Sequence, residues 1–171
     1  MSSIEHKLHA PGKVFCKIIT VSDTRTPDTD KSGRLISELM QNAGHEIVQY
    51  EIIPDEETLI KSAIVSGCKS SEIDVILLSG GTGIAKRDVT IEAVQSLLGK
   101  EIPGFGELFR MLSYQEDIGS SAILSRAIAG VADDTVIFSM PGSAGAVGLA
   151  MEKLIIPELG HVVREVKKDL K

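Results

Sequence analysis

Short apolar runs alternate with helix-spaced apolar positions along this chain. Val14 to Val21 (VFCKIITV) reads as a buried strand that stops at the polar stretch SDTRTPDTDKSG. Leu35, Ile36, Leu39, Met40 and Ala43 then recur at helical spacing, and Gly44 is a natural stop. HEIVQYEII (45–53) alternates in part and predicts a second strand, closed by Pro54. Leu59, Ile60, Ala63 and Ile64 fall on one helical face, with Asp55 placed to cap that helix. IDVILLS (73–79) is a continuous apolar run of the kind buried in parallel sheets. Thr90 predicts the cap of a helix carrying Ile91, Val94, Leu97 and Leu98. Further on, GELFRMLSYQ and SAILSRAIAG read as helical pieces and DTVIFSM as a fourth buried strand. PGSAGAVGLAMEKLI opens a helix, and a last one follows Pro157.

Strands and helices alternate with no repeat, low-complexity tract or Gly/Ser-rich linker. That order predicts an α/β fold with a mostly parallel sheet, as one domain over residues 14–171 behind a polar leader over 1–13. The length of 171 residues is enough for a real core. No apolar run reaches the ~20 residues a membrane helix needs, and MSSIEHKLHAPGK has no apolar signal core, so a cytoplasmic protein without membrane contact is expected. A formal charge of −6 argues against nonspecific nucleic-acid binding but not against a small anion held by local donors. Cys16 and Cys68 have no metal-ligand spacing and read as reduced thiols. His6, His9, His45 and His161 are scattered, so no zinc site is expected.

In open α/β sheets, ligands lie beyond the carboxyl ends of the strands. The polar residues concentrate there: Ser22, Asp23, Thr24 and Arg25 after the first strand, Ser79 to Gly83 after the third, Pro141, Gly142 and Ser143 after the fourth. Glycines let backbone N–H groups approach an anion, and Arg25, Arg87 and Arg126 could add forked donors. Taken alone, GGTG is better explained as a sharp turn. It is no P-loop, since no GK[ST] follows, and GTGIAK lacks the last glycine of a dinucleotide fingerprint. Asp55 has capping as an alternative, and Asp88 an ion pair with Arg87 or a turn bond. On a phosphate-binding rim the same two carboxylates could hold Mg²⁺. PGFGEL (103–108) is either a turn into a helix or a lip over a pocket. Met140 and Met151 read as core filler, and REVKKDLK as a solvated face.

LLSGGTGIAKRDVT, EIPGFGELFR, AILSRAIAG and MPGSAGAV occur in this order, with VSDTR after the first strand and IIPDEE after the second. Together these motifs resemble the MoaB/MogA family of molybdenum cofactor biosynthesis proteins, over nearly the whole chain from about Val14. The short PGS form looks closer to the MoaB branch. The resemblance implies a three-layer α/β/α sandwich of the molybdopterin-binding, MogA-like type. It implies adenylylation of molybdopterin with ATP and Mg²⁺, releasing pyrophosphate, in a homotrimer or homohexamer, with hand-over to a molybdate-insertion protein. The alternative is a non-catalytic molybdopterin-binding or carrier protein. By the same comparison Asp55 and Asp88 are the catalytic, Mg²⁺-handling residues, and Gly80, Gly81, Thr82 and Gly83 the phosphate loop. Ser22, Asp23 and Arg25 border the nucleotide pocket, Arg87 is a further anion contact, Ser125 and Arg126 face the pterin phosphate, and Pro141, Gly142 and Ser143 form the final contacting loop. Many relatives carry lysine in that last loop, where this chain has Gly145.

Overall fold

A computed structural model describes residues 10–170. Most of the leader expected over 1–13 lies outside them. The elements in order are β1 (Phe15–Val21), α1 (Lys31–Asn42), β2 (Glu46–Ile53), α2 (Glu57–Lys69), β3 (Val75–Ser79), α3 (Thr90–Leu97), β4 (Lys100–Glu101) and α4 (Pro103–Glu116). A 3₁₀ turn (Gly119–Leu124), β5 (Ile128–Ala132), β6 (Thr135–Met140), α5 (Ala144–Ala150), a π turn (Met151–Ile155) and α6 (Ile156–Lys167) complete it. One sheet runs β2-β1-β3-β6-β5-β4; its first four strands are parallel and the last two pairings antiparallel.

The apolar runs are continuous because both faces of the sheet are covered, and alternate side chains feed two separate cores. Cys16, Ile18, Val75, Leu77, Val136 and Phe138 pack under α1, α4, α5 and α6, against Ile36, Met40, Phe109, Val147 and Leu159. Ile19, Val21, Ile76, Leu78 and Ile137 face α2 and α3 through Ile60, Ile64, Ala93 and Val94. This is the expected three-layer α/β/α arrangement.

Four local expectations are corrected. AIAG, expected as helix, belongs to β5, which turns back through Asp133 and Asp134 to pair antiparallel with β6. Asp133 takes the positive φ of 51° that this two-residue turn demands. Asp55 does not cap α2: Glu56 holds the cap position, without a side-chain bond. Thr90 is the first residue of α3 rather than its cap, and Val89 precedes it. Pro157 does not separate two helices. The π turn over Met151–Ile155 widens the helix where the proline would otherwise clash, so α5 runs on into α6.

Asp30 ties the first connection to the sheet. It is fully buried, and its Oδ1 caps α1 by accepting from Gly33 N–H (3.0 Å) and from Ser32 Oγ (3.2 Å). Its Oδ2 accepts from the Tyr50 hydroxyl of edge strand β2. Burial opposes its ionisation, but the hydrogen bonds from Tyr50, Gly33 and Ser32, with the Thr20 hydroxyl close by, hold the carboxyl below its ordinary value. Burial, with the bond to Asp30 and its charge, pushes the Tyr50 phenol up to about 12. A carboxylate with a depressed folded pKa stabilises the fold above its unfolded pKa and loses that contribution as pH falls through the folded value. Asp30→Asn is therefore expected to cost about 1–3 kcal/mol near neutral pH. In urea unfolding measured across pH, the gap to the parent chain should narrow as pH falls below the ordinary 3.8 and through the lower folded value; a gap that persists unchanged there would contradict this origin.

Candidate functional site

The chain steps from β1 outward to β2 and then back across to β3, so β1 and β3 flank the point where the strand order reverses. Open α/β sheets leave a crevice there. The segments leaving β1, β3 and β6 enclose a cleft of about 410 Å³, lined by Ser22, Arg25, Gly80 to Gly83, Asp88, Gly142 and Ser143, with Thr20, Val21, Ser32 and Ser79 beneath. Ser32 donates to Asp30, and its oxygen lies 3.3 Å from the Ser79 hydroxyl, so Ser79 is the donor of that pair. Sequence reasoning missed Thr20 and Ser32, and placed Ser79 at the strand end without a role in the cleft. The signal for Ser79 was a hydroxyl closing an otherwise apolar strand.

The glycine loop is shaped by contacts no side chain would permit. Gly80 and Gly81 have φ of +97° and +65°. A Cβ on Gly80 would run into the Val21 carbonyl, and one on Gly81 into the Thr90 hydroxyl. Gly80 N–H donates to Met140 O (3.1 Å), and a Cβ on Gly142 would stand 3.1 Å from Gly80 Cα, so the β1, β3 and β6 exits touch. Beyond Gly80, the N–H groups of Gly81, Thr82, Gly83 and Ile84 have no hydrogen-bond partner among the described residues. Four consecutive free donors make the loop chemically competent to bind an anion.

The two aspartates flank this loop. Asp55 N–H donates to Asp23 Oδ1 (3.1 Å), and Asp55 Oδ1 lies 3.0 Å from where a Cβ on Gly81 would sit. Asp88 Oδ2 accepts from Ala85 N–H (2.9 Å) and stands 2.5 Å from the corresponding point on Gly83. Burial raises the Asp55 pKa, and the charge of Asp88 raises it further. Arg87, next to Asp88 in the chain, pairs with Asp23 instead. Thr90 Oγ1, buried and close to where a Gly81 side chain would stand, beside Asp55, has no hydrogen-bond partner among the described residues. Two carboxylates beside an anion-binding loop form a hard-oxygen donor set that fits Mg²⁺. Among the described residues no group of three or more His, Cys, Asp or Glu is placed to hold a metal ion, here or elsewhere, so the protein's own donors at this site are these two carboxylates.

The remaining sequence-indicated residues divide. Arg25 donates to Thr29 O (3.2 Å) and lines both the cleft and an adjoining hollow of about 490 Å³, where Asp23, Tyr50, Ile52 and Pro54 also lie. Ser143 accepts from Ala146 N–H (3.2 Å) and so caps α5. Pro141 and Ser125 do not line the cleft, and Ser125 N–H closes the 3₁₀ turn onto Ala122 O. Arg126 lies outside the cleft too. Its Nε donates to Thr82 O (3.0 Å), its Nη2 to Gly83 O (2.6 Å), and its Nη1 to Glu92 Oε1 (2.5 Å). Gly145 opens toward Asp117, whose Oδ2 is 3.6 Å from where a Cβ would stand.

Comparison with known proteins gives this geometry a family. Residues 17–161 match the model described as "Probable molybdopterin binding domain". Molybdenum cofactor biosynthesis protein B of Bacillus subtilis (strain 168) is 62% identical over 169 residues, covering 99% of each chain. A crystal structure of Molybdenum cofactor biosynthesis protein B superimposes with a TM-score of 0.91 at 60% identity, covering 94% of this chain and 100% of that one. The tungsten cofactor synthesizing protein MoaB from Pyrococcus furiosus gives 0.81 at 39% identity, covering 92% and 99%. This chain belongs to the molybdopterin-binding domain family of molybdenum cofactor biosynthesis proteins.

Proposed function

We propose that this chain, read as one molybdopterin-binding unit over residues 14–171, adenylylates molybdopterin with Mg-ATP in the cytoplasm and releases pyrophosphate. The observation that carries the reading is the run of four unpartnered N–H groups, Gly81 to Ile84, between two carboxylates. A phosphate oxygen of molybdopterin forms a bond to the α-phosphorus of ATP, and the bond from that phosphorus to the pyrophosphate oxygen breaks with its electron pair. The attacking phosphate is already ionised, so no residue need serve as general base. The work left to the protein is positioning and charge compensation. The loop N–H groups hold phosphate oxygens, and Arg25 and Ser22 hold the nucleotide side of the cleft. Ser143 and Gly142 close its far wall. Asp55 and Asp88 would hold Mg²⁺, which when bound neutralises charge on the phosphates. The product then passes to a molybdate-insertion protein.

A second reading is a non-catalytic molybdopterin carrier, and one observation favours it: Gly145, in the first turn of α5 where the family resemblance implies a lysine, has its open side toward Asp117 rather than a cation. The carrier reading keeps pterin affinity without turnover.

The apolar side chains of Leu108, Met111 and Tyr114 on α4, with Ile118, Ile123 and Leu124 beside them, are exposed. Ile123, at 83%, is bare enough to mark a contact surface rather than a loosely packed core. A homotrimer or homohexamer that buries this face is the expected assembly.

Pure protein with molybdopterin, Mg²⁺ and ATP is expected to form adenylyl-molybdopterin. Pterin binding without product under conditions that preserve the pterin selects the carrier reading. Asp88→Asn should lower turnover by about 100-fold while leaving pterin affinity nearly intact; equal loss of both points to a structural role. Because Asp88 raises Asp55, the same substitution should bring the Asp55 pKa down toward 3.8, readable by carboxyl NMR titration. In the parent chain Mg²⁺ affinity should be full well above that range and fall as acid protonates Asp55 through its raised pKa. Light scattering should give the mass of a trimer or hexamer, and Ile123→Asp should lower it; a monomeric parent chain refutes the assembly.

A further inference from the structure

Arg126 is the cation nearest the glycine loop that has no exit to the cleft, and its guanidinium is fully engaged. Nε donates to Thr82 O (3.0 Å), and Nη2 donates to Gly83 O (2.6 Å) and, at 3.4 Å, to Asp88 O. On the other edge of the fork, Nη1 meets Glu92 Oε1 at 2.5 Å and Nη2 meets Oε2 at 3.4 Å. Glu92 sits in the first turn of α3, so the clamp is anchored to a helix rather than to another loop. The bond from Arg126 holds the Glu92 carboxyl below its ordinary value.

Peptide geometry turns these bonds into a statement about the cleft. In a trans peptide the carbonyl and the following N–H point in opposite directions. Fixing Thr82 O against Arg126 therefore aims Gly83 N–H away from Arg126, and fixing Gly83 O does the same for Ile84 N–H. Thr82 and Gly83 line the cleft, while Arg126 does not. On either side the loop is tied by Thr90 N–H to Gly81 O (3.1 Å) and by Ala85 N–H to Asp88 Oδ2 (2.9 Å), but among the described residues only Arg126 holds the Thr82 and Gly83 carbonyls. Gly83 carries no side chain to pack, and neither Gly83 N–H nor Ile84 N–H is held by a bond of its own. An arginine suits the task because its planar fork reaches two successive carbonyls and a carboxylate at once, which an ammonium cannot do.

We infer that Arg126, braced by Glu92, is the positioning residue of the phosphate loop: it pins the Thr82 and Gly83 carbonyls from behind and so turns the Gly83 and Ile84 N–H groups toward the anion. This replaces the direct phosphate contact that the family resemblance implied for Arg126, and it rests on the reading of the loop as a phosphate cradle. Glu92 becomes part of the site although it touches no ligand.

The test compares Arg126→Gln, Arg126→Lys and Glu92→Gln with the parent chain. Backbone ¹⁵N relaxation of Gly83 and Ile84 is recorded without ligand, and inorganic pyrophosphate in the presence of Mg²⁺ is titrated by calorimetry. The parent loop should be rigid, with order parameters near ~0.85, and should fall below ~0.6 in Arg126→Gln and Glu92→Gln. Pyrophosphate affinity should weaken about tenfold in both, with Arg126→Lys failing to restore it. A direct contact gives a different pattern: Glu92→Gln frees the guanidinium and binds pyrophosphate as tightly as the parent chain or tighter. That result, or a loop that stays rigid in either variant, overturns the inference. Should Arg126→Gln not fold, Glu92→Gln decides alone. Loop order is read without pterin or turnover, so a chain that fails to adenylylate molybdopterin can still carry the clamp. A parent chain that does not bind pyrophosphate removes the cradle itself, while its relaxation data still report whether Arg126 orders the loop.

Discussion

Everything at the rim depends on the parallel register of three strands. Thr20 of β1 stands opposite Ser79 of β3, and Ser79 opposite Met140 of β6, so all three strands end within one residue of a common row. Parallel pairing carries each chain off the same edge of the sheet, where the backbone has no further ladder partner. The exits are then forced into contact within a few residues, and side chains become the obstacle. Gly80 and Gly142 remove it, which is why the bond from Gly80 N–H to Met140 O can form. The antiparallel strands β5 and β4 extend the sheet away from this edge and leave the rim unchanged.

That constraint explains what the sequence made legible. Strands buried on both faces announce themselves as unbroken apolar runs, so β1, β3 and β6 could be read directly, and with them the loops that follow. β5 escaped because IAGVA is short and rich in small residues, and its identity comes from pairing with β6 through the Asp133–Asp134 turn, a partner choice that local spacing does not encode. Thr90 was legible as a residue near a helix start but not for what it faces, and Asp55 carried two readings, helix cap and rim carboxylate, that spacing did not separate. Capping is one use of a short polar side chain after a strand; both instead face the glycine loop, and only the tertiary approach of Gly81 reveals it.

Arg126 illustrates the same limit in a sharper form. A sequence marks it as a cation in a motif shared with the site, and a cation near a phosphate loop suggests a ligand contact. Its partners Thr82, Gly83 and Glu92 lie more than thirty positions away along the chain, and two of the three offer backbone carbonyls, which every residue has. No residue pattern distinguishes an arginine aimed at a ligand from one aimed at the back of the loop that holds the ligand. The distinction lies in which side of a peptide plane the side chain reaches.

The charges around the cleft impose one further condition. The loop presents N–H donors that favour an anion, yet Asp55 and Asp88 flank it, and burial plus their mutual repulsion already raise the Asp55 pKa. Arg87 is paired with Asp23, Arg126 is paired with Glu92 behind the loop, and the chain as a whole carries −6. A polyphosphate entering alone would bring more negative charge next to two carboxylates in a partly desolvated cleft, where Coulombic repulsion is least screened. On the proposed reading, the donors and the carboxylates become compatible when a cation arrives with the anion. A site of this composition would then favour metal-bound phosphates over bare ones, because the loop's own donors do not neutralise its carboxylates.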